Sequence, residues 1–101
     1  MPLVKLVDVN RLPEGTACEV RIDDRVVAVS HVRGKFYAME GKCPHNGGPL
    51  GLGGLHGHQL VCPWHAWEFD CRTGACYFNE TSLRTYPVRM AGGAVWADLD
   101  A

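Results

Sequence analysis

Two short loops decide what this chain can become: Cys43-Pro44-His45 near its middle, and Cys62-Pro63-Trp64-His65 beyond a spacer studded with glycine. Each offers one thiolate and one imidazole, in the order Cys-x-His and then Cys-x-x-His. With one ligand of each kind per loop, the set can be divided between two metal ions, both sulfurs on one and both imidazoles on the other. Two Cys and two His are also a tetrahedral zinc set. Zinc fingers, however, typically pair Cys with Cys over one short loop and His with His over another, and the single residue between Cys43 and His45 argues against that spacing.

Residues 43 to 50, CPHNGGPL, and residues 62 to 70, CPWHAWEFD, resemble the two cluster-binding boxes of Rieske iron-sulfur proteins. The turn Arg72-Thr73-Gly74 and the segment Leu83-Arg84-Thr85-Tyr86-Pro87-Val88 fit the same family, so the resemblance covers nearly the whole chain. It implies that Cys43 and Cys62 bind one iron of a [2Fe-2S] cluster, while His45 and His65 bind the other, more exposed iron. It also implies a single domain over residues 1–101: a base of antiparallel sheets from residues before about 40 and after about 75, with a cluster-binding subdomain, about 41–75, inserted into it.

The strand pattern agrees with an all-β architecture. Alternation and turn residues predict strands over residues 3–9, 16–22, 25–32, 35–40 and 59–61. Beyond the second loop, residues 67–70 and 75–78 are expected as one hairpin, and residues 83–89 and 94–98 as another; helical periodicity is absent. Glycines 47, 48, 51, 53, 54 and 57 are expected to serve tight positive-φ turns and close approach of amides to sulfur.

At 101 residues the chain is too small for two independent cores, so a metal site should also stabilise the fold. A net charge of -1 gives no basic field for nucleic acid. No apolar run approaches the ~18 to 20 residues that span a bilayer, and residues 1–8 lack the regions of a signal peptide, so a cytoplasmic monomer is expected. Five cysteines in a reducing compartment suit metal better than disulfides. Cys18 reads as a small strand hydrophobe; Cys71 and Cys76 flank a turn, and if Gly74 is left-handed and Cys71 lies opposite Ala75, they point to opposite faces.

Exchanging two thiolates for two imidazoles leaves an oxidised cluster near zero charge, which makes reduction easier than in an all-cysteine cluster. Ligating imidazoles keep a titratable proton that ferric iron acidifies, so His45 and His65 are expected to couple electron transfer to protons. In high-potential respiratory members of the family the second box resembles Cys-Pro-Cys-His-Gly-Ser-x-Tyr, with a disulfide between the loops and hydroxyl donors to the sulfurs. This chain has Trp64, Ala66, Trp67 and Phe69 at the differing positions, and Gly48 where the other disulfide cysteine would lie. Within the range known for Rieske centres, the resemblance places its potential at the low end, about -150 mV rather than about +300 mV.

Trp67 and Phe69 read as packing residues, whereas Trp64 either shields the cluster or meets a partner. His31, His56 and His58 read as surface or turn residues, with His56 and His58 close enough in sequence for adventitious metal. Asn79 to Ser82 lacks the prolines often found in the family's covering segment, so a looser cover is expected. No nucleophile stands beside a general base, and no two-histidine, one-carboxylate iron site is legible. The reading is therefore an electron-transfer component and not an enzyme: a low-potential ferredoxin of the bacterial oxygenase-associated type, reduced by a flavin-dependent reductase and reoxidised by a terminal oxygenase. The alternatives are the small Rieske-like subunit of an assimilatory nitrite reductase, and a redox-sensing or structural metal domain. Lys35, Lys42, Glu68 and Arg72 are docking candidates by proximity to the loops.

Overall fold

Short alternating segments separated by tight turns build three antiparallel sheets; the computed structural model describes residues 3–44, 47–64 and 66–100. In chain order the strands are β1 (Val4–Asp8), β2 (Ala17–Ile22), β3 (Arg25–Val32), β4 (Lys35–Glu40), β5 (Gly54–His56), β6 (Gln59–Val61), β7 (Glu68–Asp70), β8 (Thr85–Tyr86), β9 (Val88–Ala91) and β10 (Ala94–Ala97). They assemble as β1-β10-β9, β2-β3-β4-β8 and β5-β6-β7. Among the described residues, the helical pieces are single 3-10 turns at Val9–Arg11 and Leu50–Leu52. No helix there is long and apolar enough to cross a membrane.

The middle sheet is buried on both faces, and period-two alternation divides its side chains between two cores. Val27 and Val29 of β3, with Phe36 and Ala38 of β4, pack with Leu6, Val95 and Ala97 of the β1-β10-β9 sheet. The intervening Ala28 and Val32 of β3 and Met39 of β4 pack instead with Cys43, Leu50, Leu60, Cys62, Phe69 and Leu83. Fully burying a side chain such as Leu50, Leu60 or Phe69 contributes about 1.5–3 kcal/mol, so this second core ties both cysteine loops to the platform.

Turn chemistry fixes the platform's register. Arg33 and Gly34 both hold positive φ, 52° and 79°, as a two-residue hairpin turn of the twist-matching kind requires, and Val32 faces Lys35 across it. Pairing of β1 with β10 skips Leu6 between Lys5 and Val7, a bulge-like irregularity beside a side chain that enters the core.

Three expectations need correction. The strand expected over residues 83–89 is divided at Pro87, which has no N–H to give to a ladder; β8 pairs with β4 before it and β9 with β10 after it. Residues 75–78 form isolated bridges, Phe69 with Cys76 and Ala75 with Ser82, in place of a strand. A strand, β5, occupies Gly54–His56, where glycine-rich turns were expected, held by its pairing with β6.

Candidate metal centre

Both cysteine loops leave their strands through backbone anchors. After β4, Gly41 N–H donates to Val26 O at 2.8 Å and Leu50 N–H returns to Gly41 O at 3.0 Å, bracketing the first loop. Inside that bracket Cys43 N–H donates to Gly48 O (2.9 Å) and Gly47 N–H to Cys43 O (2.7 Å). The second loop leaves β6 and repeats the scheme: Cys62 N–H donates to Trp67 O (2.8 Å) and Ala66 N–H to Cys62 O (2.9 Å). The residue that closes each loop onto its cysteine is left-handed, Gly47 at φ 70° and Ala66 at φ 58°. Ala66, in place of the glycine common in the family, therefore keeps the backbone form that glycine would adopt.

The loops meet at Gly48. A Cβ added there would lie 2.8 Å from Cys62 Sγ and 3.3 Å from Trp64 Cδ2, so only glycine lets the first loop's backbone approach the second loop's sulfur this closely. Cys43 and Cys62 are 1% and 2% exposed and belong to one apolar core. Neither is in a disulfide. Two buried soft donors, in loops joined where a missing Cβ leaves room, fit a thiolate-bound iron-sulfur group. His45 and His65, the other two expected ligands, lie outside the described residues.

Of the six glycines expected to serve positive-φ turns and close approach to sulfur, Gly47 and Gly57 have positive φ and Gly48 approaches Cys62 Sγ, whereas Gly51 and Gly53 are needed because a Cβ would strike the Cys18 and Val61 carbonyls.

The remaining cysteines are free thiols packed as hydrophobes. Cys18 is half-buried against the first core, and burial pushes its thiol pKa up. Cys71 and Cys76 share the second core, which corrects the expectation that they face opposite ways. The cause is a register one residue tighter than expected: Cys76 lies opposite Phe69, and Asp70 N–H donates to Ala75 O, so Cys71 falls in line with Phe69 and Cys76. Gly74, at φ 80° and with a Cβ position 2.0 Å from Leu83 O, closes that turn as no other residue could.

Around the loops, Phe69 is fully buried and Trp67 packs beside it at 6.4 Å between ring centroids, as packing residues should. Trp64 is 56% exposed. Asn79 to Ser82 is pinned despite its lack of prolines, through Cys76 N–H to Thr81 O (2.8 Å) and Thr81 N–H to Asn79 Oδ1 (2.8 Å). His31 stacks on Phe36 at 4.0 Å with Nδ1 2.8 Å from Leu12 O, and is a structural residue. His56 approaches Glu68 at 3.6 Å and His58 the Tyr37 ring at 6.2 Å; among the described residues no group of three or more metal-binding side chains forms. Arg72 is committed to Asp70, whereas Lys35 and Lys42 are exposed. Sequence reasoning overlooked the exposed pair Tyr77 and Phe78, 5.6 Å apart edge to face, and exposed Leu52; each is an apolar residue at a position where alternation fails.

Residues 3–87 match the model of the Rieske [2Fe-2S] domain. The ferredoxin component of a naphthalene 1,2-dioxygenase system from Pseudomonas aeruginosa is 32% identical, over 95% of this chain and 94% of its own length. The ferredoxin subunit of a 3-phenylpropionate/cinnamic acid dioxygenase from Escherichia coli is 39% identical, over 87% and 85%. Among solved structures, the ferredoxin of Sphingomonas yanoikuyae B1 superposes with a TM-score of 0.87 at 28% identity, over 96% of this chain and 98% of that one. A carbazole 1,9a-dioxygenase structure, described as a complex of reduced oxygenase and oxidized ferredoxin, contains a chain matching at TM-score 0.85 and 28% identity, over 94% and 100%. A putative nitrite reductase small subunit shares the fold alone, at 21% identity and TM-score 0.81, over 96% and 98%. The chain belongs to the Rieske [2Fe-2S] domain family, and its cofactor is a [2Fe-2S] cluster.

Proposed function

We propose that this protein is a one-electron carrier of the cytoplasm, taking electrons from a flavin-dependent reductase and handing them singly to a terminal oxygenase. Cys43 and Cys62 would hold one iron, His45 and His65 the other, within a subdomain of about residues 41–75. The observation that carries the reading is the pair of matching closed loops, each holding a buried cysteine and meeting at Gly48. The oxygenase partner is supported by the relatives, which are named as ferredoxin components of dioxygenase systems.

When bound, the cluster accepts and releases one electron reversibly at a potential set by its ligands and surroundings. The chain's own residues set those surroundings. Leu50, Leu60 and Phe69 pack in one apolar core with the two cysteines, and the closed loops fix the cysteine backbones. No hydroxyl side chain stands among residues 43–50 or 62–70, so side-chain O–H donors from the two boxes are not available to stabilise added charge.

The test is anaerobic purification with iron and acid-labile sulfide counted, low-temperature EPR, and stopped-flow reduction by a flavin reductase followed by mixing with a Rieske oxygenase. A mixed histidine-cysteine [2Fe-2S] spectrum with rapid reoxidation by the oxygenase is expected. A colourless zinc protein, or a cluster that no oxygenase reoxidises, overturns the proposal; tight co-purification with a nitrite reductase large subunit would replace it with the enzyme-subunit reading.

A further inference from the structure

We infer that Trp64 holds the cluster's potential down by keeping water away from the sulfur of Cys62. The inference rests on the ligand assignment proposed above and adds a role for a residue that is not a ligand.

Trp64 is more than half exposed, so it is not held in place as a core residue. Its six-membered ring is nevertheless seated: Cδ2 and Cε3 lie 3.3 and 3.4 Å from the point where a Gly48 Cβ would be, and Cys62 Sγ lies 2.8 Å from that same point. Ring and sulfur therefore both border the point above Gly48. The atoms closest to it are aromatic carbons, which offer no N–H or O–H to the sulfur. Cys62, 2% exposed, has its amide committed to Trp67 O.

The two loops share one hydrogen-bond scheme, and in that frame Trp64 stands two residues after Cys62, as His45 stands two residues after Cys43. Loop two carries its histidine one step later. That shift leaves the intervening position free for a side chain that is not a ligand, and the chain spends it on the largest apolar ring available. An added electron places negative charge on the cluster and its sulfurs, and hydrogen-bond donors stabilise it. Water is the donor nearest to hand at an exposed loop, and the ring beside Gly48 occupies space that water would otherwise fill.

The experiment compares the cluster-loaded protein with its W64F and W64A variants, each checked for iron and sulfide. Midpoint potential is measured by spectroelectrochemistry, and ENDOR of the reduced cluster in D2O counts exchangeable deuterons close to it. W64A should shift the potential upward and gain a deuteron coupling; W64F should keep both close to the parent values. If W64A loses its iron, W64Q, which keeps more side chain than alanine and brings a donor, should show the same upward shift. A W64A or W64Q protein with the parent's potential and couplings overturns the inference. Should only its turnover with oxygenase fall, Trp64 is a docking residue. A parent protein without a mixed-ligand [2Fe-2S] spectrum fails the proposed function itself, before any variant is compared.

Discussion

Ser30 donates a hydrogen bond from its hydroxyl to Cys71 Sγ at 3.2 Å, inside the core that carries both Cys43 and Cys62. Ser30 is one of two buried polar side chains among the described residues, and it lies on the β3 face between Ala28 and Val32, where alternation directs it toward the loops. Burial is the main influence on Cys71 and pushes its pKa up, so the sulfur stays a neutral thiol that accepts the Ser30 hydrogen bond.

Removing that hydroxyl should weaken the fold and spare the cluster. Ser30→Ala is expected to cost about 1 kcal/mol, the net worth of a buried neutral hydrogen bond. The EPR spectrum should be unchanged, because Cys71 is not among the four ligands proposed. Denaturant unfolding of the loaded protein measures the first effect, and an altered g tensor would show that Cys71 lies closer to the cluster than the assignment allows.

Adding a methyl group at Gly48 should do the reverse and strike the site first. In Gly48→Ala the new Cβ meets Cys62 Sγ at 2.8 Å and the Trp64 ring at 3.3 Å. The indole has room to turn outward, but the sulfur is held by a loop closed through two backbone hydrogen bonds. Overpacking of this kind costs about 1–3 kcal/mol. Iron and sulfide per chain should fall well below the parent value; full occupancy with parent stability would mean that the loops can part without cost.

Ala66 offers a gain. Its N–H reaches Cys62 O only because the residue holds φ 58°, a conformation costing an L-residue about 1–2 kcal/mol. Glycine adopts it freely but loses about 0.5–1 kcal/mol more entropy on folding. Ala66→Gly should therefore raise stability by roughly 0.5–1 kcal/mol, read as a shift in denaturation midpoint at unchanged slope. A β-branched residue there, Ala66→Val, should lower it.

How far the sequence spoke differs from element to element. The bounds of β3, β4 and β6 were legible because their alternation is cut off by turn residues such as Asp23-Asp24 and Arg33-Gly34. β5 was not, since two of its cues are missing: Gly54 has no side chain, and its pairing is dictated by Val61 across the sheet. The facing of Cys71 and Cys76 hung on one residue of turn register, set by a Gly74–Leu83 approach that spans nine positions of sequence. At the site, spacing and the resemblance it carries singled out Cys43 and Cys62, which the fold buries in one core. Their loop closures are made by backbone groups common to every residue, so spacing could not reveal that the two loops are alike. Gly48 was legible as a missing cysteine and as one of the glycines expected to let backbone approach sulfur; that the sulfur is Cys62 Sγ, with the Trp64 ring beside it, belongs to the folded chain.

The turn after β7 should make part of the stability depend on pH. Asp70 accepts from Arg72 Nε at 3.0 Å and Nη2 at 2.9 Å, and from the Arg72 backbone N–H at 2.8 Å. The Arg72 side chain, ahead of its backbone amide and against the opposing effect of burial, holds the Asp70 pKa below the usual carboxylate value. A group whose folded pKa is depressed contributes stability that is fully present above its unfolded pKa, about 3.9 for Asp, and is lost as pH falls through the folded pKa. Acid also protonates cluster ligands, so the parent protein alone cannot isolate this contribution. Asp70→Asn keeps the shape and removes the charge. The stability difference between parent and variant should be constant above about pH 5 and shrink below about pH 4 as Asp70 becomes neutral in both states. Urea unfolding of both proteins along that range measures it, with Arg72→Gln expected to reduce the difference. A gap that instead widens on acidification would mean that the carboxylate is destabilising where it stands, and that Arg72 does not offset its desolvation.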